Sequence, residues 1–193
     1  KFKNFNFETK NHSQKFQVNY ISEYENDIVF NLSYENIYKV KIDKNKLEKS
    51  TISIVKNPEN QNYTGLIHEN NYYGRNLYSQ FEIQNLKTNK KENFGKCSNI
   101  WDFTIGDNNT VYAACWDGNS PVGAVLSFKN GVVSDLSKKL SLPSYQFWTL
   151  MYDKKTKQLW VGSVDQGIFI INLDEKIKIE KINFGKFKPE VTT

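Results

Sequence analysis

Residues 147–173 read FWTLMYDKKTKQLWVGSVDQGIFIINL, and this stretch decides the fold. Three short runs within it are rich in β-branched, aromatic and leucine side chains, and polar turns separate them. The second turn ends at Gly167, where a glycine permits the positive φ that a tight turn requires. A fourth run follows at 177–184, and none of the four shows a helical period. We therefore predict one four-stranded antiparallel sheet.

A repeat extends this pattern along the chain. The tetrapeptide Asn93-Phe94-Gly95-Lys96 recurs at 183–186, and half of that offset is about 45 residues, the length of a propeller blade. Strand-like runs upstream fit three more sheets of the same kind. They lie at 16–24, 27–32, 36–42 and 51–55, at 63–69, 71–78, 81–86 and 91–94, and at 100–105, 110–116, 123–128 and 132–136.

The predicted fold class is therefore all-β, a β-propeller-like array of about four four-stranded antiparallel blades in a single region, 1–193. We expect the blades at roughly 16–55, 60–96, 97–141 and 143–186. Residues 187–193 stand in the register of a further blade, so we expect an arc of a larger propeller. The absence of an initiator Met before Lys1 points the same way, to a piece of a longer chain.

The last blade also carries a specific motif. A strand ends at Asp153, continues after a turn through Leu159-Trp160-Val161-Gly162-Ser163, and Gly167 precedes the next strand. This pattern resembles the two-component regulator propeller repeat, with Ser163 in place of the usual Thr and Gln166 in place of the first Gly of a pair. A looser copy at about 100–128 keeps the turn Asp but has Val-Tyr-Ala-Ala in place of Leu-Trp-Ile-Gly.

The motif residues have structural explanations. Trp160 is expected to fill the space between blades, Gly162 to let a neighbouring backbone approach, and Asp153 to cap its turn. Gly167 supplies the positive φ. The motif itself thus predicts packing and no catalysis.

Proteins with this repeat are commonly large membrane sensors of bacterial two-component systems. Their periplasmic propellers precede a transmembrane helix and a histidine kinase and often respond to glycans. The resemblance implies a non-catalytic ligand-sensing propeller, periplasmic or extracellular, that contacts neighbouring propeller and kinase domains of its parent chain. Two alternatives remain open: a secreted or surface scaffold for protein–protein contact, and, less favoured, a carbohydrate-active propeller enzyme.

The amino-acid composition argues against several classes of function. The net charge is +5, but 25 of the 26 basic residues are Lys and Arg75 is the one Arg, which argues against nucleic-acid recognition. We expect the lysines on solvated outer strands. No run of 18 apolar residues exists, so direct membrane insertion of this segment is not expected. Two His and two Cys give no credible catalytic constellation, and neither a metal nor a cofactor is predicted.

The two cysteines are predicted to remain separate thiols, unless the chain kinks before Ser98 and brings Cys97 back towards Cys115. If the first two strands of the third blade form a hairpin, Ile100 faces Cys115. Cys97 then lies three residues further, roughly 10 Å away at about 3.4 Å per residue. A disulfide needs Cα atoms closer than about 7 Å.

Ligand contacts are expected on long loops at one face of the propeller. Two connections stand out, at 117–121 and 142–146, and aromatic rings beside amides and a lone Arg suit an oligosaccharide or a peptide. The alternative is that the rings are inter-blade core. The candidate ligand-binding residues are Arg75, Trp116, Asp117, Asn119, Tyr145 and Trp148.

Overall fold

The computed structural model describes residues 18–24, 26–32, 37–43, 45–46, 49–56, 64–75, 78, 80–97, 99–116, 123–173 and 178–182. The chain divides into two compact units, Lys1–Ile100 and Trp101–Thr193. Each unit is described by itself.

Unit 1 contains two four-stranded antiparallel sheets in which strands pair in chain order. Four buried side chains, Val29, Ile37, Ile67 and Tyr72, form a core cluster from both sheets. The first sheet consists of β1 (Val18–Tyr24), β2 (Asp27–Leu32), β3 (Ile37–Lys41) and β4 (Thr51–Lys56), and the second of β5 (Leu66–His68), β6 (Asn71–Arg75), β7 (Gln80–Asn85) and β8 (Lys91–Lys96).

Two further sheets follow the same meander. A short helix, α1 (Leu136–Lys139), separates them, and Asp135 caps its first turn by accepting from Lys138 N. The third sheet consists of β9 (Ile100–Ile105), β10 (Val111–Trp116), β11 (Gly123–Lys129) and β12 (Val132–Asp135), and the fourth of β13 (Phe147–Asp153), β14 (Gln158–Ser163), β15 (Gly167–Asn172) and β16 (Lys178–Ile182).

These sheets confirm the predicted fold class. The structure has four four-stranded antiparallel sheets, and most strand ends lie within one or two residues of the predicted ones. The proposed further blade at 187–193 lies outside the described residues. The blade boundaries and the larger propeller stay predictions.

The core of unit 2 lies between its two sheets. Side chains alternate between the faces of a strand, so Leu159 and Val161 of β14 point into the core with Phe169 of β15. Burial of each such side chain stabilises the fold by about 1.5–3 kcal/mol. Trp160 stands between Leu159 and Val161 and therefore on the opposite face of β14, so Leu159 and Val161 fill the space between these two sheets. That Trp160 fills the space towards a further blade stays a prediction.

The other three residues of the repeat motif act locally: Asp153 and Gly167 shape turns, and Gly162 leaves space for a side chain of the paired strand. Asp153 accepts from Lys155 N at 2.9 Å and from Thr156 Oγ1 at 2.6 Å, and the Thr156 bond is the main reason that the pKa of Asp153 is lowered. Gly167 has φ +81°. A Cβ on Gly162 would meet Thr149 Cγ2 at 2.6 Å, so this glycine makes room for a side chain and not for a backbone.

The cysteine prediction was wrong, because Cys97 and Cys115 form a disulfide. Strand β9 begins at Ile100, so Cys97 lies outside it and the spacing of an extended strand does not apply. Among the described residues, no helix is long and apolar enough to cross a membrane.

Candidate ligand-binding site

Three of the four tryptophans meet at one end of unit 2. Trp148, the second residue of β13, stacks on Trp101, the second residue of β9, with ring centroids 4.0 Å apart and an interplanar angle of 17°. The Trp116 ring lies 6.0 Å from Trp148 at a tilt of 60°. Trp101 Nε1 donates to the Trp116 carbonyl oxygen at 2.8 Å, which ties β9 to the end of β10. The three rings therefore form one aromatic cluster, here called the tryptophan cluster.

A carboxylate fixes the strands beneath this cluster. Asp102 Oδ2 accepts from Thr149 Oγ1 and from Leu150 N, each at 2.8 Å, and Asp102 Oδ1 accepts from Phe103 N at 2.8 Å. Further along, Tyr152 N donates to Thr104 Oγ1 at 3.2 Å. These bonds hold β13 beside β9, and bonds to an ionised acceptor are about twice as strong as neutral ones.

The loop before β13 is anchored by polar contacts. Ser144 Oγ donates to Asp165 Oδ1 at 2.6 Å and accepts from Gln146 N at 3.0 Å. The Tyr145 backbone passes so close to Gly123 that a Cβ there would lie 1.8 Å from the Tyr145 carbonyl oxygen. Loop 142–146 is therefore fitted against the start of β11, next to the tryptophan cluster.

Large apolar side chains remain exposed at this end. Trp148 is 44% exposed although one ring face is stacked, Tyr145 is 39% exposed and Val164 is 37% exposed. Trp116 is half-buried, and within the described part of the chain its buried Nε1 has no hydrogen-bond partner. Clustered exposed apolar side chains are more informative than scattered ones, because they mark surfaces that contact a ligand or a partner.

The structure brings some of the predicted site residues together and places others elsewhere. Trp116 and Trp148 come together in the tryptophan cluster, and Tyr145 lies on the adjoining loop. Arg75 ends β6 in unit 1 and donates from Nη1 to Asn99 Oδ1 at 3.0 Å. Asp117 and Asn119 lie outside the described residues.

Sequence reasoning missed Trp101 and Asp102. The signal was present, because Trp101 and Trp148 hold the same position in successive first strands. Residues at equivalent positions of neighbouring blades can contact each other directly.

The opposite end of unit 2 carries a polar clasp. Lys157 Nζ pairs with Asp107 Oδ2, and this contact is the largest cause of the lowered pKa of Asp107. The hydroxyl of Tyr152 hydrogen-bonds the same carboxylate, and the Tyr152 ring stacks on Tyr112 with centroids 6.2 Å apart. Burial raises the pKa of Tyr112 to about 12, so its hydroxyl keeps its proton at neutral pH. Each group here is already paired, which suits a structural contact.

The part of the chain that the structure describes was searched for side chains that could bind a metal ion. No group of three or more His, Cys, Asp and Glu side chains there could hold a metal ion. His68, half-buried in β5, has no hydrogen-bond partner for its buried Nε2 among these residues.

Solved propeller structures resemble this chain. AztD from Citrobacter koseri matches with a TM-score of 0.60 at 14% identity, over 86% of this chain and 47% of its own. The WD40 β-propeller domain of Doa1 matches with a TM-score of 0.51 at 15% identity, over 86% of this chain and 53% of its own. The computationally designed protein Ika4 matches with a TM-score of 0.50 at 12% identity, over 90% of this chain and 95% of its own.

At these identities the likeness shows the fold alone, which is that of the β-propellers. The chain spans about half the length of AztD and of the Doa1 domain. No protein-family model and no curated protein matches the sequence.

Proposed function

We propose that this chain is a non-catalytic binding propeller, whose ligand contacts the tryptophan cluster and Tyr145. The observation that carries the proposal is the exposure of Trp148, which is 44% exposed at a site where Trp101 and Asp102 hold it in place. An indole that is both fixed and open loses little conformational freedom on binding, which favours affinity. An oligosaccharide or a peptide suits such a surface.

The setting that we propose is extracytoplasmic. The disulfide between Cys97 and Cys115 supports it, because disulfides persist in oxidising compartments and are rare in the cytosol. The resemblance to the two-component regulator propeller repeat then suggests a sensor, in which binding shifts the geometry of neighbouring propeller and kinase domains of a parent chain. On this proposal the propeller itself turns over no substrate.

A second candidate is a secreted or surface scaffold that binds another protein. The exposed patch of Tyr145, Trp148 and Val164 favours it, because Tyr and Trp are enriched at protein interfaces. Both candidate functions use the same surface, and they differ in whether an oligosaccharide or peptide ligand or another folded protein binds there.

Replacing Trp148 by Ala is expected to weaken binding to whichever probe the chain retains on oligosaccharide and peptide arrays by roughly 30-fold, as loss of an interface Trp costs about 2 kcal/mol. Affinity is measured by titration calorimetry. Tyr78→Ala is the matched control, because Tyr78 is an aromatic residue of unit 1 that is 81% exposed. Retention of a probe by the wild type with equal loss in both variants, or in neither, contradicts the proposed surface. Release of shortened oligosaccharides would instead support an enzyme.

A further inference from the structure

We infer that Asp102 is a positioning residue for the tryptophan cluster, one that holds Trp148 stacked on Trp101 in the binding-ready arrangement. This inference rests on the proposed function only where it takes the tryptophan cluster to be a binding site. The role of Asp102 in holding the indole stack rests on the contacts between β9 and β13 alone.

The first support is where the carboxylate bonds. Asp102 Oδ2 accepts from Thr149 and Leu150, the two residues that directly follow Trp148. The Thr149 hydroxyl and the Leu150 N–H, which lie immediately after Trp148 in β13, are therefore both held by this carboxylate. Asp102 also follows Trp101 directly, so two adjacent residues of β9 grip three adjacent residues of β13.

The second support is the equivalence of the contacting positions. Trp101 and Asp102 are the second and third residues of β9, and Trp148 and Thr149 are the second and third residues of β13. Ring meets ring and carboxylate meets hydroxyl at matched positions. An offset of the two strands by one residue would break both contacts together.

The third support is that the carboxylate has no neutral substitute. Both Asp102 oxygens act as acceptors, Oδ1 for Phe103 N and Oδ2 for Thr149 Oγ1 and Leu150 N. An Asn has the same shape but carries one oxygen and one NH₂ group. In either orientation, its NH₂ faces a backbone N–H that also needs an acceptor.

The test uses a signal that the stack itself produces. Two indoles in contact couple their electronic transitions, and when their transition dipoles are skewed they give a pair of bands of opposite sign in the far-ultraviolet circular dichroism spectrum. The wild type is expected to show this couplet, Trp148→Phe is expected to abolish it, and Trp101→Phe is expected to leave only the contribution of the Trp116–Trp148 pair. Those two variants assign the signal to the stack.

Asp102→Asn is expected to lose most of the couplet at a temperature where urea titration shows the variant to be folded. The control is Asp153→Asn, which removes the same charge from the other end of β13 and breaks turn contacts without touching the indoles. It is expected to keep the full couplet. A residue with a merely structural role would lower the urea midpoint and leave the couplet of the folded protein unchanged.

Thr149→Val keeps the inference testable if Asp102→Asn fails to fold. It removes one of the bonds to Oδ2 and leaves the bond from Leu150 N. A partial loss of the couplet is expected. A full couplet in folded Asp102→Asn, or in Thr149→Val when the first variant is unfolded, overturns the inference. Failure of every array probe to bind would reject the proposed function and leave this result unaffected.

Discussion

Replacing Gly123 by Ala is expected to lower the free energy of unfolding by about 3 kcal/mol, the upper range for overpacking a fitted site. The new Cβ would lie 1.8 Å from the Tyr145 carbonyl oxygen and 2.6 Å from the Cys115 carbonyl oxygen. Both are backbone atoms, so no side-chain rotation relieves the clash. Loop 142–146 must move away from β11, and we expect the exposed patch at Tyr145 and Trp148 to be disturbed with it.

Chemical denaturation measures this effect, and Gly131→Asn serves as the control. Gly131 has φ +79° in the turn between β11 and β12, and a Cβ there meets nothing within 4 Å. Asn adopts positive φ more readily than most residues, so little change is expected. Equal stability of Gly123→Ala and the wild type would show that the loop does not pack as described.

Removing the disulfide is expected to have an effect of similar size. The bond between Cys97 and Cys115 closes the loop that contains β9, and loop-closure entropy for a loop of this length is worth about 3 kcal/mol. The double variant Cys97→Ala/Cys115→Ala should therefore unfold at a clearly lower denaturant concentration than the oxidised wild type. The reduced wild type is the control and should behave like the variant.

Thiol titration tests the same bond directly. The denatured, unreduced protein is expected to show no free thiol, and the reduced protein two. Two reactive thiols before reduction would show that the disulfide does not form. The structural support for an extracytoplasmic setting would then be lost.

Most of the fold could be predicted from local signals. In the last sheet, runs of apolar residues alternate with turns that contain Asp153 and Gly167, and these signals place all four strands. The start and end of a strand can be predicted from its own sequence, because turn chemistry and β-propensity are local properties. The same rhythm located the strands of the other three sheets.

The errors concern contacts that depend on where a chain leaves its strand. Cys97 lies outside β9, so counting residues along an extended strand overestimated its distance from Cys115. Trp160 was expected between blades, and strand alternation places Leu159 and Val161 on the face towards the third sheet and Trp160 on the opposite face, where its prediction stays untested. Nothing local marks which face a strand turns towards its neighbour.

The candidate site was only partly predictable for the same reason. Trp116, Tyr145 and Trp148 were found because they adjoin long loops, whereas Trp101 and Asp102 lie inside a regular strand. Their role depends on the neighbouring sheet. Comparing equivalent positions of successive blades would have found them, since Trp101 and Trp148 occupy the same position.

The central claim is that a ligand binds at the tryptophan cluster, and the four indole N–H signals test it in one experiment. The ¹⁵N-labelled protein is titrated with the oligosaccharide or peptide that the arrays retain, and single Trp→Phe variants assign the signals. We predict that the signals of Trp148, Trp101 and Trp116 shift, whereas that of Trp160, on the other face of β14, stays in place. A bound probe that shifts Trp160 alone, or none of the four indoles, would contradict the claim.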